Sequence, residues 1–264
     1  MNNSGKKPAL THEALTDIID LALWAGQLLL QNGASSHRVE ETVHQLGTGL
    51  GCDWMDVLVS HNAIVVTTVS AGDFRTKIRR VPKHGVDLTA VSAVNRLRYR
   101  ISDNTLDPPQ LRNELQRIST RKPMYPFWLT AVMIGLACGA FCRLFGGDYE
   151  AFALTAVAST VGMFVRYLLL REEFNTYLVV IAAAFITSLI AAMGKYIGIH
   201  DYPVALAAGV LMLIPGVPLI NMVLDFVRGH INVGISRGIL GLLITLSIAI
   251  GLLLAVSITG VPGL

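Results

Sequence analysis

Five long apolar runs occupy the chain from residue 124 onward, separated by short polar stretches. They cover residues 124–145, 149–170, 174–194, 203–227 and 234–259. Each run holds about 20–26 residues, and a helix of about 20 apolar residues is long enough to cross a bilayer. We therefore predict a multi-pass α-helical membrane protein with five transmembrane helices. The lipid bilayer is then one of its binding partners.

Charged residues are concentrated before these runs. Residues 1–123 hold 27 charged side chains and residues 124–264 hold 12. This asymmetry predicts two domains, a polar one over 1–123 and a transmembrane one over 124–264. The pattern excludes a disordered chain, a secreted disulfide scaffold and a single soluble enzyme, and the net charge of +3 is too small to indicate nucleic acid as a partner.

In the polar part, segments with the apolar periodicity of helices are followed by segments with the alternation of strands and then by further helices, which is typical of an α+β domain. Helical patterns cover residues 11–32 and the stretch after Ser36, where Ser36 with Glu40 and Glu41 resembles a loose capping box. Alternating segments rich in β-branched residues then predict strands over 55–59, 63–69 and 74–81, in an antiparallel meander. Two more helices follow, one capped by Asp87 and one opened by Pro108.

Basic residues predict the orientation of the spans. Seven of the 15 basic residues in the polar part lie between Arg96 and Lys122, directly before the first apolar run. Because short cytoplasmic segments next to spans are enriched in Lys and Arg, we predict a cytoplasmic N-terminus and a periplasmic C-terminus. The polar domain would then be cytoplasmic.

Side chains typical of catalysis occur in the polar part without forming a known motif. Ser35, Ser36, His37 and Glu40 resemble parts of a nucleophile set, but serines before a helix are usually caps. The His pair at positions 37 and 44 does not have the spacing of a zinc site, and Asn62 is most simply a turn residue. We predict no catalytic residue, no metal site and no cofactor.

The fourth apolar run carries the strongest candidate site. Pro215 and Pro218, with Gly216 between them, remove two backbone donors and predict a broken helix near the middle of the span. Such a break exposes free N–H groups that can bind an anionic substrate. Asn221 and Asp225 follow four residues apart, on one helix face.

Two interpretations of Asp225 remain open. A carboxylate in a span is costly and is expected to face the protein interior or a water path, as a substrate contact or a coupling group. Alternatively, it lies near the cytoplasmic end and pairs with Arg228 or Arg237. Arg166, in an apolar context, either snorkels to the interface or binds a substrate carboxylate.

The order of these motifs resembles the threonine/serine exporter family, most closely its YjjP-like branch. The likeness covers residues 12–260 and rests on Gly33-Ala34-Ser35-Ser36-His37-Arg38-Val39-Glu40, on Ser60-His61-Asn62-Ala63-Ile64, and on Pro215-Gly216-Val217-Pro218 followed by Asn221, Asp225, His230 and Arg237. Of these, Ser36, His37, Arg38, Glu40, Asn62 and His230 are motif residues without a predicted role.

The resemblance implies an exporter of the bacterial inner membrane. Members of the family resemble two fused halves with about ten spans, whereas the split branch places one half in a second small multi-pass subunit. That branch is associated with succinate-like dicarboxylates, so the resemblance implies a hetero-oligomeric succinate exporter. Export of threonine or serine, and a membrane-tethered enzyme or sensor with an active N-terminal domain, are the alternatives. The candidate substrate-binding or coupling residues are Pro215, Gly216, Pro218, Asn221, Asp225, Arg166 and Arg237.

Overall fold

The computed structural model describes residues 11–70, 73–82, 84–103 and 106–261. These residues form two compact units. The first contains the described residues up to Lys122 together with Val217–Gly238, and the second contains Pro123–Gly216 and the chain from Ile239 onward. Residues 217–227 and 234–238, which belong to the fourth and fifth predicted spans, are thus part of the same compact unit as the polar segment.

The described part of the polar segment has four helices and three strands in the predicted order. They are α1 (His12–Gln31), α2 (Ser36–Gly49), β1 (Trp54–Val59), β2 (Ala63–Ser70), β3 (Asp73–Arg80), α3 (Leu88–Ser102) and α4 (Pro108–Ser119). Local signals set several of the ends. The Thr11 side chain accepts a hydrogen bond from the Ala14 N–H, and the Asp87 side chain accepts from Thr89 and Ala90.

The strands form an antiparallel meander in the order β1-β2-β3, as predicted. The register places Trp54 opposite Val69 and Val69 opposite Phe74. One face of the sheet carries Met55, Val59, Ile64 and Val66, which are buried in the core of the first unit. Helix α1 contacts β2, β3 and the other three helices, which explains why its buried residues lie all around it.

The remaining helices are apolar, and four of those described are long. They are α5 (Phe127–Leu144), α6 (Tyr149–Arg171), α7 (Thr176–Ala192), α8 (Tyr202–Gly209), α9 (Gly216–Val227) and α10 (Ile231–Thr259), with 3₁₀ turns at Met193–Lys195 and Val210–Leu213. Within the described ranges, four helices are long and apolar enough to span a membrane, and the pair formed by Tyr202–Leu213 and Gly216–Val227 passes the same criterion as one broken span. The protein is therefore a multi-pass membrane protein whose described part contains four spans, or five if the broken pair counts as one.

Small residues allow close helix packing in the second unit. Ala131 and Gly135 lie four residues apart on α5, and both are buried. A Cβ added at Gly135 would lie 2.5 Å from the backbone oxygen of Ala156 on α6. The backbones of α5 and α6 therefore approach more closely than a larger side chain would allow.

Helix α9 has an inverted distribution of polar and apolar side chains. Its buried residues are Asn221 and Asp225, whereas Ile220 and Val227 are exposed, with Val227 80% accessible. An apolar exposed face with a polar buried face is the arrangement expected of a helix in contact with lipid.

Candidate functional site

The turn between α1 and α2 supplies the backbone of the candidate site. Helix α1 ends at Gln31 with Asn32 as its C-cap, and Gly33 then takes a φ of +90°, a left-handed conformation that favours glycine. Ala34 is buried, and α2 begins at Ser36. The carbonyl groups of residues 33 and 34 and the first N–H groups of α2 are thus presented together.

A buried ion pair faces this turn. Asp225 on α9 and Arg237 on α10 are 0% and 6% exposed. The Arg237 Nη1 lies 2.7 Å from the Asp225 Oδ2. The two helices are joined by a short turn in which Gly229 has a φ of +83° and the His230 N–H donates to the Asp225 carbonyl. This turn places the carboxylate and the guanidinium side by side.

Both members of the pair also bind the α1–α2 turn. The Ser36 N–H donates to the Asp225 Oδ1 at 3.1 Å, and the Arg237 Nη2 donates to the Ala34 carbonyl at 2.9 Å. One turn earlier on α9, the Asn221 Nδ2 donates to the Gly33 carbonyl at 2.8 Å. Asn221, Asp225 and Arg237, which the sequence singles out separately, therefore meet at one place. We call Asn221, Asp225, Arg237 and the turn 33–36 the polar cluster.

The predicted capping box at Ser36 is not formed. Ser36 is the first residue of α2, Ser35 takes the N-cap position, and neither side chain caps the helix. The Ser36 hydroxyl is buried and has no hydrogen-bond partner among the described residues. The Asp225 carboxylate takes the place of a local cap, because it accepts from the first N–H of α2 and compensates the positive end of the helix dipole.

Four of the motif residues without a predicted role lie around the polar cluster on α2 and in the α9–α10 turn. The Glu40 Oε1 lies 3.5 Å from the His230 Nδ1, and the ring centroids of His37 and His230 are 6.5 Å apart. Burial raises the pKa of Glu40 above its ordinary value, although nearby His230 acts in the opposite direction. Arg38 is exposed on α2.

A stacked histidine pair completes this region. The ring centroids of His61 and His84 are 4.6 Å apart, and burial lowers the pKa of both imidazoles, with Arg237 as a further cause. Sequence reasoning missed His84, since it lies in an irregular segment and carries no local signal. Asn62 lies in the turn between β1 and β2, where its carbonyl accepts from the Val81 N–H.

The predicted helix break is present, but its two prolines act differently. Ile214 has an extended backbone, with a ψ of 127°, directly before Pro215. Pro218 instead lies in the first turn of α9, where its missing N–H removes no intrahelical hydrogen bond. Pro215 therefore accounts for the interruption, while Pro218 is compatible with a regular helix start.

Arg166, Pro215 and Gly216 belong to the second unit. Arg166 lies on α6 half-buried, with its Nη1 3.9 Å from the Met163 sulfur. Pro215 and Gly216 belong to the same unit, whereas Pro218, in the first turn of α9, belongs to the first. Within the described ranges, no group of three or more His, Cys, Asp or Glu side chains is arranged to hold a metal ion.

Comparison with known proteins gives consistent matches over nearly the whole chain. The family model described as "Putative threonine/serine exporter" matches residues 20–259. The "Probable succinate transporter subunit YjjP" of Escherichia coli is 35% identical over 92% of this chain and 95% of its own length, and the protein of the same name from Klebsiella aerogenes is 36% identical over 92% and 94%. A "Probable threonine/serine exporter" of Mycobacterium tuberculosis is 26% identical over 90% of this chain and 45% of its own length. No solved structure matches the chain.

Proposed function

Because the chain belongs to the threonine/serine exporter family, in its YjjP-like branch, we propose that it is one subunit of an inner-membrane exporter of small carboxylates, succinate in the first place. The two relatives of 35% and 36% identity are named as succinate transporter subunits, which supports both the substrate and the second subunit. The partner is a small multi-pass membrane protein. Residues 1–123 form the cytoplasmic domain, and the C-terminus is periplasmic.

The buried Asp225–Arg237 pair is the observation that carries this proposal. Arg237 is a guanidinium on an apolar helix, and its bound group in the structure is a carboxylate of the same chain. A substrate carboxylate has the same chemistry as Asp225, so it can take the place of Asp225 at Arg237. The proposed role of Arg237 is thus to bind a substrate carboxylate during one step of transport.

Displacement of Asp225 has a second consequence at α2. The Asp225 carboxylate also accepts from the Ser36 N–H, so its release leaves the N-terminus of α2 without its acceptor. The cost of that loss is about 1 kcal/mol for an ordinary cap. Substrate binding at Arg237 would therefore be coupled to movement of the α1–α2 turn, which is the proposed contribution of the cytoplasmic domain.

The experiment measures efflux from proteoliposomes that contain this chain with its co-purified partner subunit and are loaded with labelled succinate. Asp225→Asn keeps the shape of the side chain but removes the charge, and we expect efflux to slow by about tenfold, which corresponds to a rise of about 1.4 kcal/mol in the barrier to transport. Asp17→Asn is the matched control, because Asp17 forms an exposed ion pair with Arg112. Equal efflux from both variants would contradict the assignment of the site.

Export of threonine or serine is the second candidate. It is favoured by the family description and by the Mycobacterium tuberculosis relative. An amino acid carries one cationic and one anionic group, so Asp225 would bind its ammonium while Arg237 binds its carboxylate. Unlabelled serine added with labelled succinate separates the candidates, since serine lowers succinate efflux only if both share the site.

A further inference from the structure

The three-stranded sheet has an apolar face that the core of the first unit does not cover. Alternate residues of each strand point away from the core, and the register aligns them in rows across the sheet. One row is Trp54, Val69 and Phe74, and another is Leu58, Val65 and Ile78. We call these six residues the outer sheet face.

The exposure of these side chains is unusual for an antiparallel sheet. Phe74, Ile78 and Leu58 are 70%, 68% and 66% exposed. The solvated face of an antiparallel sheet is normally polar, with apolar residues only on the core side. A large apolar patch on one face therefore marks a surface that binds another protein or a membrane.

Polar residues on the same side of the sheet are few and lie between or beside the two rows of the outer sheet face. The middle row is Asp56, Thr67 and Thr76, and the two threonine hydroxyls are 2.9 Å apart. Among the outward positions of the described strands, Asp56 and Arg80 carry charge, with opposite signs. The face is thus neutral, so it offers no attraction to an anionic membrane and no repulsion to a second copy of itself.

The order of the strands makes the face self-complementary. Because β2 is the middle strand, a two-fold axis parallel to β2 and midway between two stacked sheets places β1 of one copy opposite β3 of the other. Each row of one copy then faces the same row of the other copy. Trp54 then meets Phe74, Leu58 meets Ile78, and Asp56 meets Thr76, which can donate a hydrogen bond to it. Neither charged residue meets its own counterpart, and face-to-face packing of aligned sheets is a common arrangement.

We propose that the outer sheet face is the interface between two copies of this chain, related by a two-fold axis along β2. Three strands about 4.8 Å apart, each roughly 24 Å long, give a face of about 340 Å². This is less than the roughly 800 Å² per partner of a standard stable interface. The contact is therefore weak between free molecules and depends on confinement of both copies in one membrane, which raises their effective concentration.

The experiment is cysteine cross-linking of the full chain in membranes. Val65→Cys lies on the two-fold axis, and stacked sheets are about 10 Å apart, so a bismaleimide with a spacer of about that length should join two copies. The native cysteines Cys52, Cys138 and Cys142 are buried and give a low background. Ser119→Cys, an exposed position on α4, is the matched control and should give little dimer.

Charge substitutions test the geometry of the axis. Adding Phe74→Lys or Trp54→Glu to the Val65→Cys chain should reduce the cross-linked dimer at least fivefold, because each buries an unpaired charge against an aromatic ring. The variant with both changes places opposite charges across the axis and should recover most of the dimer. A dimer that persists in both single variants, a yield equal to that of Ser119→Cys, or a product with the mass of a different protein would overturn the proposal.

Discussion

The Asp225–Arg237 pair shows how a charged residue is accommodated in a helix that is otherwise apolar. Burial of each ion alone would cost several kcal/mol, but the carboxylate accepts from both a guanidinium and a backbone N–H. The guanidinium donates in turn to the Ala34 carbonyl. Removing one partner leaves the other buried and unpaired, so stability should be far more sensitive to this pair than to an exposed one.

Asp225→Asn should therefore destabilise the protein by about 3–5 kcal/mol, the usual cost of breaking a buried pair. The measurement is the midpoint of thermal unfolding of the full chain in detergent. Asp17→Asn provides the comparison, since an exposed ion pair contributes about 1 kcal/mol or less. Equal midpoints for the two variants would show that the Asp225 carboxylate is solvated rather than buried.

The stacked pair of His61 and His84 predicts a dependence of stability on pH. Burial lowers the pKa of both imidazoles in the folded protein below the ordinary value of 6.5. Between the lowered pKa and 6.5, the unfolded chain therefore binds more protons than the folded one. Stability should then fall as the pH drops below 6.5 towards the lowered pKa values. Glu40 acts oppositely, because its raised pKa makes the folded state more stable as the pH falls.

Comparison of variants isolates the contribution of the histidines. The unfolding midpoint of a His61→Asn and His84→Asn double variant should decrease less on acidification from pH 7.5 to pH 5.5 than that of the native chain. His200→Gln, which replaces an exposed histidine outside this region, is the control substitution. A double variant as acid-sensitive as the native chain would contradict this prediction.

The sequence identifies several residues of the polar cluster, but it does not predict most of the groups to which they are hydrogen-bonded. Asp225 and Arg237 stand out as charges in apolar runs, and their pairing was one of two interpretations left open. The Gly33 and Ala34 carbonyls that Asn221 and Arg237 bind lie 188 and 203 residues away in sequence. No local pattern reports contacts of that range, and for the same reason His84 escaped notice.

At the scale of elements, the α1–α2 turn depends on one glycine. Gly33 has a φ of +90°, which strains any residue with a Cβ, and a Cβ there would also lie 3.3 Å from the Gly85 oxygen and from the Val217 side chain. The Gly33 carbonyl must keep its orientation to accept from Asn221. The turn is therefore constrained both by its own backbone and by α9.

Gly33→Ala should lower the unfolding midpoint more than Gly146→Ala. Gly146 has nearly the same φ, +93°, but a Cβ at that position meets no atom within 4 Å. The backbone strain of about 1–2 kcal/mol is common to both variants, so the difference between them measures the crowding at the turn. Equal effects would show that the turn relaxes without loss of its contact to α9.

The helices and strands were largely predictable because their signals are local. The helical pattern over residues 11–32 and the cap at Asp87 agree with the observed helix ends, and period-two alternation predicts the meander. The capping box at Ser36 was wrong because a distant carboxylate replaced the local cap. The interruption by Pro215 is local and was predicted, whereas the role of Pro218 depends on where α9 begins.

At the scale of the whole molecule, the spans and the basic residues together predict an orientation in the membrane. The polar segment before the first span holds 15 of the 21 basic residues, and the loop between α6 and α7 follows Arg171. The segment between α7 and α8 contains one basic residue, Lys195, followed by His200 and Asp201. By the positive-inside rule, we predict that the α6–α7 loop is cytoplasmic and the α7–α8 loop is periplasmic.

Single cysteines in these two loops test this orientation in intact cells. His200→Cys should react with a membrane-impermeant maleimide added outside, whereas Glu172→Cys should react only after the cells are permeabilised; both positions are exposed. The native chain is the background control, because its three cysteines are buried. Labelling of Glu172→Cys but not His200→Cys in intact cells would invert the orientation. It would place the polar cluster and the proposed carboxylate site at the periplasmic surface, where an exporter releases substrate instead of binding it.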